Sequence, residues 1–130
     1  MITFHLKLLI IISFIFLISC SSYNSLDLNN TYKSSEIINE FKNNIEKSNK
    51  KYSRKTLTIV GRIDQYYKNK NNEITIIISD KGQTEGIKCD LTNSHKQIKK
   101  PLKQGKIIII KGKYNGFNDF IILKKCYIIP

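Results

Sequence analysis

The sequence contains no tryptophan, one methionine, two histidines and only ten acidic residues in 130. The shortage of histidine and of carboxylates narrows the catalytic chemistry open to it. His5 falls in the first twenty residues, which leaves His95 as the one histidine beyond them. A single imidazole cannot easily be both an oriented base and a metal ligand, and His95 sits in a lysine-rich stretch that reads as exposed surface. No pair of carboxylates is placed for glycoside hydrolysis. No glycine-rich phosphate loop, HExxH or zinc-spaced cysteine set occurs. The chain is therefore expected to be no enzyme, and to use no metal and no cofactor. Long hydrophobic runs are also missing. The longest stretch, Leu8 to Ile18, is interrupted at Ser13, and roughly 20 residues are needed to cross a bilayer as a helix. The length allows one domain, not a two-lobed enzyme.

What is present is positive charge, 22 Lys and Arg for a net +12. Ile, Lys and Asn make up 58 of the residues. That bias looks like the codon output of an AT-rich genome, and it weakens any argument from lysine number alone. Enough Ile, Leu, Val and Phe remain to build a core, so the composition is not that of a disordered chain.

Residues 1–20 read MITFHLKLLIIISFIFLISC. Lys7 and the amino terminus precede an apolar run of the length of a signal-peptide core. The ending Leu17-Ile18-Ser19-Cys20 resembles a bacterial lipobox. That resemblance implies cleavage after Ser19 and lipidation of Cys20, giving residues 1–19 as a lipoprotein signal peptide. Two or three acyl chains on one residue anchor stably, because each buried methylene contributes about 0.8 kcal/mol. The alternative is an ordinary signal peptide with a chance cysteine. Residues 20–33 are polar and read as a lipidated tether. Ser21 stands where Asp would imply inner-membrane retention. The expected location is therefore the bacterial cell envelope, on the outer membrane facing the periplasm.

Residues 34–130 read as one domain. A helix is expected over roughly 35–49, with Ser34 or Ser35 as cap and Ile37, Ile38, Phe41 and Ile45 in one stripe at helical period. From Lys55 the period changes to two. Strands are expected from about Lys55 to Asp64, Glu73 to Ser79, Glu85 to Leu91, Lys106 to Gly112 and Phe120 to Ile129. Tyr66–Asn72 and Tyr114–Asp119 read as loops. A longer connector, Asn93 to Lys103, separates strands three and four. Five short strands with that connector predict a mainly β protein, a five-stranded OB-fold barrel preceded by one amphipathic helix. Gly61 in the first strand fits the bend such a barrel needs.

The order of these residues resembles the tRNA_anti-like OB-fold family of small bacterial lipoproteins, common in Bacteroidota. The resemblance rests on the helix Glu36 to Asn49, then Tyr52, Arg54 and Lys55, then Thr58, Gly61 and Ile63. Cys89, the Leu102-Lys103-x-Gly105 turn, Lys111-Gly112 and Cys126 complete it. It implies fold and lipoprotein habit and says little of activity.

In an OB barrel the strands holding Cys89 and Cys126 are neighbours. Outside the cytoplasm the two thiols could bridge, or they could pack separately as small buried groups. Lys124 would have to point inward, or a bulge intervene, for Cys126 to share a face with Phe120 and Ile122. OB folds bind ligands across strands two and three and the flanking loops. Tyr66, Tyr67, Lys68, Lys70, Lys88, Lys113, Tyr114 and Phe117 are the candidate ligand-binding residues, since aromatics beside cations suit stacking along a charged backbone. The alternative is that the lysines are solvated surface and the aromatics cap the barrel. The expected partners are the membrane, through Cys20, and an envelope protein or polyanionic envelope polymer. Single-stranded nucleic acid is the second reading, because an extracytoplasmic tether keeps the domain away from it.

Overall fold

The computed structural model describes residues 30–80 and 84–130. The expected signal peptide, Cys20 and the tether up to Asn29 lie outside the described residues. The elements are β1 (Thr31–Lys33), α1 (Ser34–Asn43), α2 (Ile45–Tyr52), β2 (Thr56–Lys68), β3 (Ile74–Ile78), β4 (Ile87–Leu91), α3 (Ser94–Gln97), β5 (Ile107–Asn118) and β6 (Phe120–Ile129). Among the described residues no helix is long and apolar enough to cross a membrane.

The sheet runs β1-β2-β3-β4-β6-β5, and β5 returns to β2. Five strands, β2 to β6, therefore close into a barrel, as expected. Its one parallel closure joins β4 to β6, on either side of α3 and β5. Ile59, Ile76, Ile78, Ile87, Ile110 and Leu123 fill the interior, each fully buried.

Three bulges shape the barrel. Between Ile63 and Gln65 the β2–β3 register shifts by one residue, so the bend comes at Asp64 rather than at Gly61. Gly61 instead permits a close approach: a Cβ there would run into Ile78 and lie 2.7 Å from the Ser34 hydroxyl at the start of α1. On β6, Lys125 takes a left-handed φ of 52° and adds one residue against both β4 and β5. This bulge turns Leu123 and Cys126 into the core together while Lys124 and Lys125 stay outside, which resolves the parity problem of this strand. On β5 a third bulge falls between Tyr114 and Phe117, at Gly116 with φ 99°.

The expected single helix is two helices. Asn44 is extended (φ −160°, ψ 101°), closes α1, and caps α2 by accepting from the Lys47 amide at 2.9 Å. The Asn side chain offers the backbone a local partner that competes with a continuous helix. Ile37, Ile38 and Phe41 are buried as the period predicted, but Ile45 is 46% exposed. In α2 the buried residues are Ser48 and Tyr52. The last residues of the stretch read as a tether also differ from expectation. Thr31–Lys33 form β1, parallel to Thr58–Val60, and Tyr32 packs edge-on against Tyr52 with ring centroids 5.5 Å apart.

Candidate ligand-binding face

Registration fixes which side chains leave the barrel. Gln65 stands opposite Ile77, Ile77 opposite Lys88, and Lys88 opposite Ile122. In the next row Tyr67 stands opposite Thr75, and Thr75 opposite Asp90. The alternate positions Ile76, Ile78, Cys89 and Leu123 are fully buried, so both rows point outward. Together they lie on the outer side of β2, β3 and β4, where Thr75 is itself fully buried and Ile77 is 9% exposed, so the accessible groups stand on the flanking strands, Tyr67 on β2 among them.

An internal network braces this face. The Thr75 hydroxyl donates to Asp90 at 2.7 Å, and the Lys124 ammonium pairs with the other Asp90 oxygen. Burial, the largest influence on Asp90, pushes its carboxyl up. The hydrogen bonds from Lys124 and Thr75 and the charges of Lys124 and Lys88 outweigh burial and hold it below the ordinary range. Asp90 is thus an ionised group already matched by Lys124, and Lys88 leaves the face with a net positive charge. Tyr67, 42% exposed, stands in the Asp90 row, two strands and one row from Lys88. A depression of about 570 Å³ opens at the β2 bulge, lined by Arg62, Asp64, Ser79 and Gln104, and supplies polar groups at the rim.

The eight candidate residues do not form one site. Tyr67 and Lys88 share the open face. Tyr66 and Lys68 alternate with Tyr67 and turn the other way, to the end of the barrel. There the Tyr66 hydroxyl donates to the Leu102 carbonyl at 3.0 Å, and Lys68 lines a small cleft with Ser94 and His95. Lys70 sits in the turn between β2 and β3, where the Asn69 side chain accepts from the Asn71 and Glu73 amides. Lys113 projects from β5 opposite Thr56 and Lys124, around the side of the barrel.

Tyr114 and Phe117 correct the sequence reading. The stretch Tyr114 to Asn118 is strand, not loop, because Asn115-Gly116 makes a bulge and the chain reverses only at Asp119 (φ 57°). Tyr114 is 7% exposed and hydrogen-bonds the Asn49 side chain. Burial pushes its hydroxyl pKa up. Phe117 stacks on Phe41 with centroids 5.5 Å apart, and Phe41 also meets Tyr52 and Tyr114. These rings seat the helices on the barrel; Phe41 and half-buried Phe117 also line a cavity of about 220 Å³ with Ile38, Ile45 and Ile121. Gln65, Thr75 and Ile77 were not singled out in the sequence, because a run of isoleucines around Thr75 and Ile77 hides which side of the sheet each takes, whereas the alternation in β4 already sets Lys88 and Asp90 on the side opposite Ile87, Cys89 and Leu91.

Cys89 and Cys126 are both free and buried. A hydrogen bond between the two thiols, reinforced by burial, raises the Cys89 pKa well above the ordinary thiol value. A Cβ on Gly112 would collide with the Cys126 sulfur, so glycine makes room for the pair.

Comparison with known proteins agrees with this architecture. No curated protein matches the sequence significantly. Among solved structures, a lipoprotein from Klebsiella pneumoniae subsp. pneumoniae MGH 78578, provisionally described as nucleic acid-binding, superimposes with a TM-score of 0.63 at 14% identity. The match covers 77% of this chain and 91% of that one. A chain from Leishmania major Friedlin, provisionally described as an aspartyl-tRNA synthetase, gives a TM-score of 0.49 at 11% identity over 85% of this chain and 22% of that one. The sequence profile of the tRNA_anti-like family matches residues 2–127, and with a closed OB-type barrel behind that match, the chain belongs to the tRNA_anti-like family.

Proposed function

We propose that this protein is a non-enzymatic, membrane-anchored lipoprotein of the bacterial envelope whose open sheet face binds an extended polyanion. The observation that carries the reading is the placement of an exposed aromatic, Tyr67 on β2, and a cation, Lys88 on β4, on the same outward side, two strands and one row apart. A ring accepts a flat group, and a cation further across the same side meets the backbone charge of an extended ligand. Anchoring rests on the lipobox at Cys20, and a structural neighbour is itself a lipoprotein.

Between an anionic envelope polymer and single-stranded nucleic acid, location favours the polymer. Tyr67 and the likeness to the nucleic acid-binding lipoprotein of Klebsiella pneumoniae support the nucleic acid. The full chain should be titrated at near-physiological salt with a fluorescent single-stranded oligonucleotide, the same sequence as duplex, and an anionic polymer without rings. Preference for the single strand over both others selects nucleic acid. Equal binding of polymer and single strand selects a charge-reading module. Absence of all binding at that salt contradicts the proposal.

A further inference from the structure

Strands β5 and β6 contain four lysines, Lys111, Lys113, Lys124 and Lys125, and no acidic residue. The inward positions of β5 are Ile108, Ile110 and Tyr114. Lys111 and Lys113 alternate with them and point outward. On β6 the bulge leaves Lys124 and Lys125 outside. Lys124 is matched by Asp90. Among the described residues, Lys111, Lys113 and Lys125 have no carboxylate partner. Ile107 and Tyr127, on the same outward side, are 60% and 44% exposed. Exposed isoleucine and tyrosine beside unmatched lysines make a face that is cationic and apolar at once.

The point where the chain enters the domain lies on this side. Thr31 stands opposite Thr58, Thr58 opposite Lys111, and Lys111 opposite Tyr127. Two inter-strand spacings, ~10 Å in all, separate Thr31 from Lys111. The segment from Cys20 to Thr31 reaches at most ~40 Å when fully extended. A lipid on Cys20 therefore keeps the β5–β6 face within reach of the bilayer surface.

We infer that the outer face of β5–β6 docks on anionic phospholipid headgroups, with Lys111, Lys113 and Lys125 over the phosphates and Tyr127 at the headgroup level. Basic residues near an anionic leaflet strengthen attachment, and tyrosine is at home where apolar and polar regions meet. The face acts as a second anchor beside the acyl chains. Because β3 is on the far side of the barrel from β5 and β6, docking this way turns the Tyr67–Lys88 face toward solvent. The inference rests on the anchoring at Cys20 only for the direction of approach; the face itself is set by the fold.

The test is a lysine-acetylation footprint of the membrane-isolated protein, reconstituted in phosphatidylcholine vesicles with or without phosphatidylglycerol and read by mass spectrometry. Lys111, Lys113 and Lys125 should be acetylated about fivefold more slowly in the anionic vesicles, the effect expected for a residue held at such a surface. Lys96, Lys99 and Lys100 in the connector should not change. Uniform labelling of all six lysines, or the same protection in phosphatidylcholine alone, overturns the inference. The intact mass of the same sample reports acylation separately. A mass without acyl chains overturns the anchoring at Cys20, and the footprint repeated with that chain added to the vesicles still decides the face.

Discussion

Gly112 lies directly beneath the Cys126 sulfur, so close that a β-carbon at position 112 would occupy the space the thiol fills. Leu123 Cβ, at 3.2 Å from the same point, blocks the other way out. Gly112→Ala should lower stability by about 1–3 kcal/mol, the usual range for overpacking a core. Adding Cys126→Ala should recover part of that loss, because neighbours in contact are not additive. Chemical denaturation of the single and double variants measures both. An unchanged midpoint for Gly112→Ala would mean the glycine makes no room for the thiol.

The thiol pair itself gives the second expectation. Cys89 is held protonated by its hydrogen bond with Cys126 and by burial, so alkylation of the native reduced protein should be negligible at neutral pH. In protein matured outside the cytoplasm we expect the pair to close into a disulfide. Both thiols should then resist a thiol reagent in denaturant and react after reduction. With 36 residues between them, the bridge should add roughly 3–4 kcal/mol on the chain-entropy model. Free thiols in freshly isolated exported protein, titrated in denaturant, would leave two packed cysteines and no bridge.

The helix break yields a contrast between neighbours. Phe41 is 2% exposed and meets Tyr52, Tyr114 and Phe117, whereas Ile45 is 46% exposed. Phe41→Ala should cost on the order of 3 kcal/mol. Ile45→Ala should stay within about 0.5 kcal/mol, as for other surface changes. Equal losses in a urea titration would mean that α1 and α2 form one continuous stripe.

That contrast also shows what the sequence could and could not reveal. The strand order was legible because alternation in Leu57–Ile63 and Ile87–Leu91 and the connector before Ile107 leave few topologies. The end of β5 was not. Asn-Gly is a strong hairpin signal, and at 115–116 it is spent on a bulge that pulls Tyr114 and Phe117 under the helices. That one bulge buries Tyr114 and stacks Phe117 on Phe41, away from Tyr67. Asn44 has many alternative roles in a helix-period stretch, and only tertiary packing of Ser48 and Tyr52 selects the cap. β1 is three residues long, too short for any period to show. The Lys125 bulge was anticipated only as one way to turn Cys126 inward.

Asp90 sets an acid sensitivity. Its folded pKa lies below the ordinary 3.8. A group with a depressed folded pKa contributes stability that is present above its unfolded value and disappears as pH falls through the folded one. Stability should therefore be flat in this respect above about pH 5 and decline as pH drops below the ordinary carboxylate range. Glu40, held low by Lys51 and Tyr52 against the opposing effect of burial, acts in the same direction. Asp90→Asn should be less stable at neutral pH and show a shallower acid decline. Thermal melts from pH 3 to 7 measure this, and parallel curves for the two proteins would contradict it.

The central claim is that Tyr67 and Lys88 on the open β2–β4 face hold the ligand, and salt-controlled titration of the full chain tests it most directly. A net charge of +12 attracts any polyanion at low salt through counterion release, so binding there decides nothing. At near-physiological salt, Tyr67→Ala should weaken binding of a single-stranded oligonucleotide by about 1–3 kcal/mol, the range for losing a stacked base. Lys88→Ala should weaken it and reduce the slope of log affinity against log salt by about one contact. Tyr66→Ala, at the barrel end, and Lys96→Ala, in the connector, should leave affinity close to that of the unaltered chain. Losses that follow only the number of lysines removed would select the charge-reading module, and affinity unchanged in both Tyr67→Ala and Lys88→Ala would contradict the account.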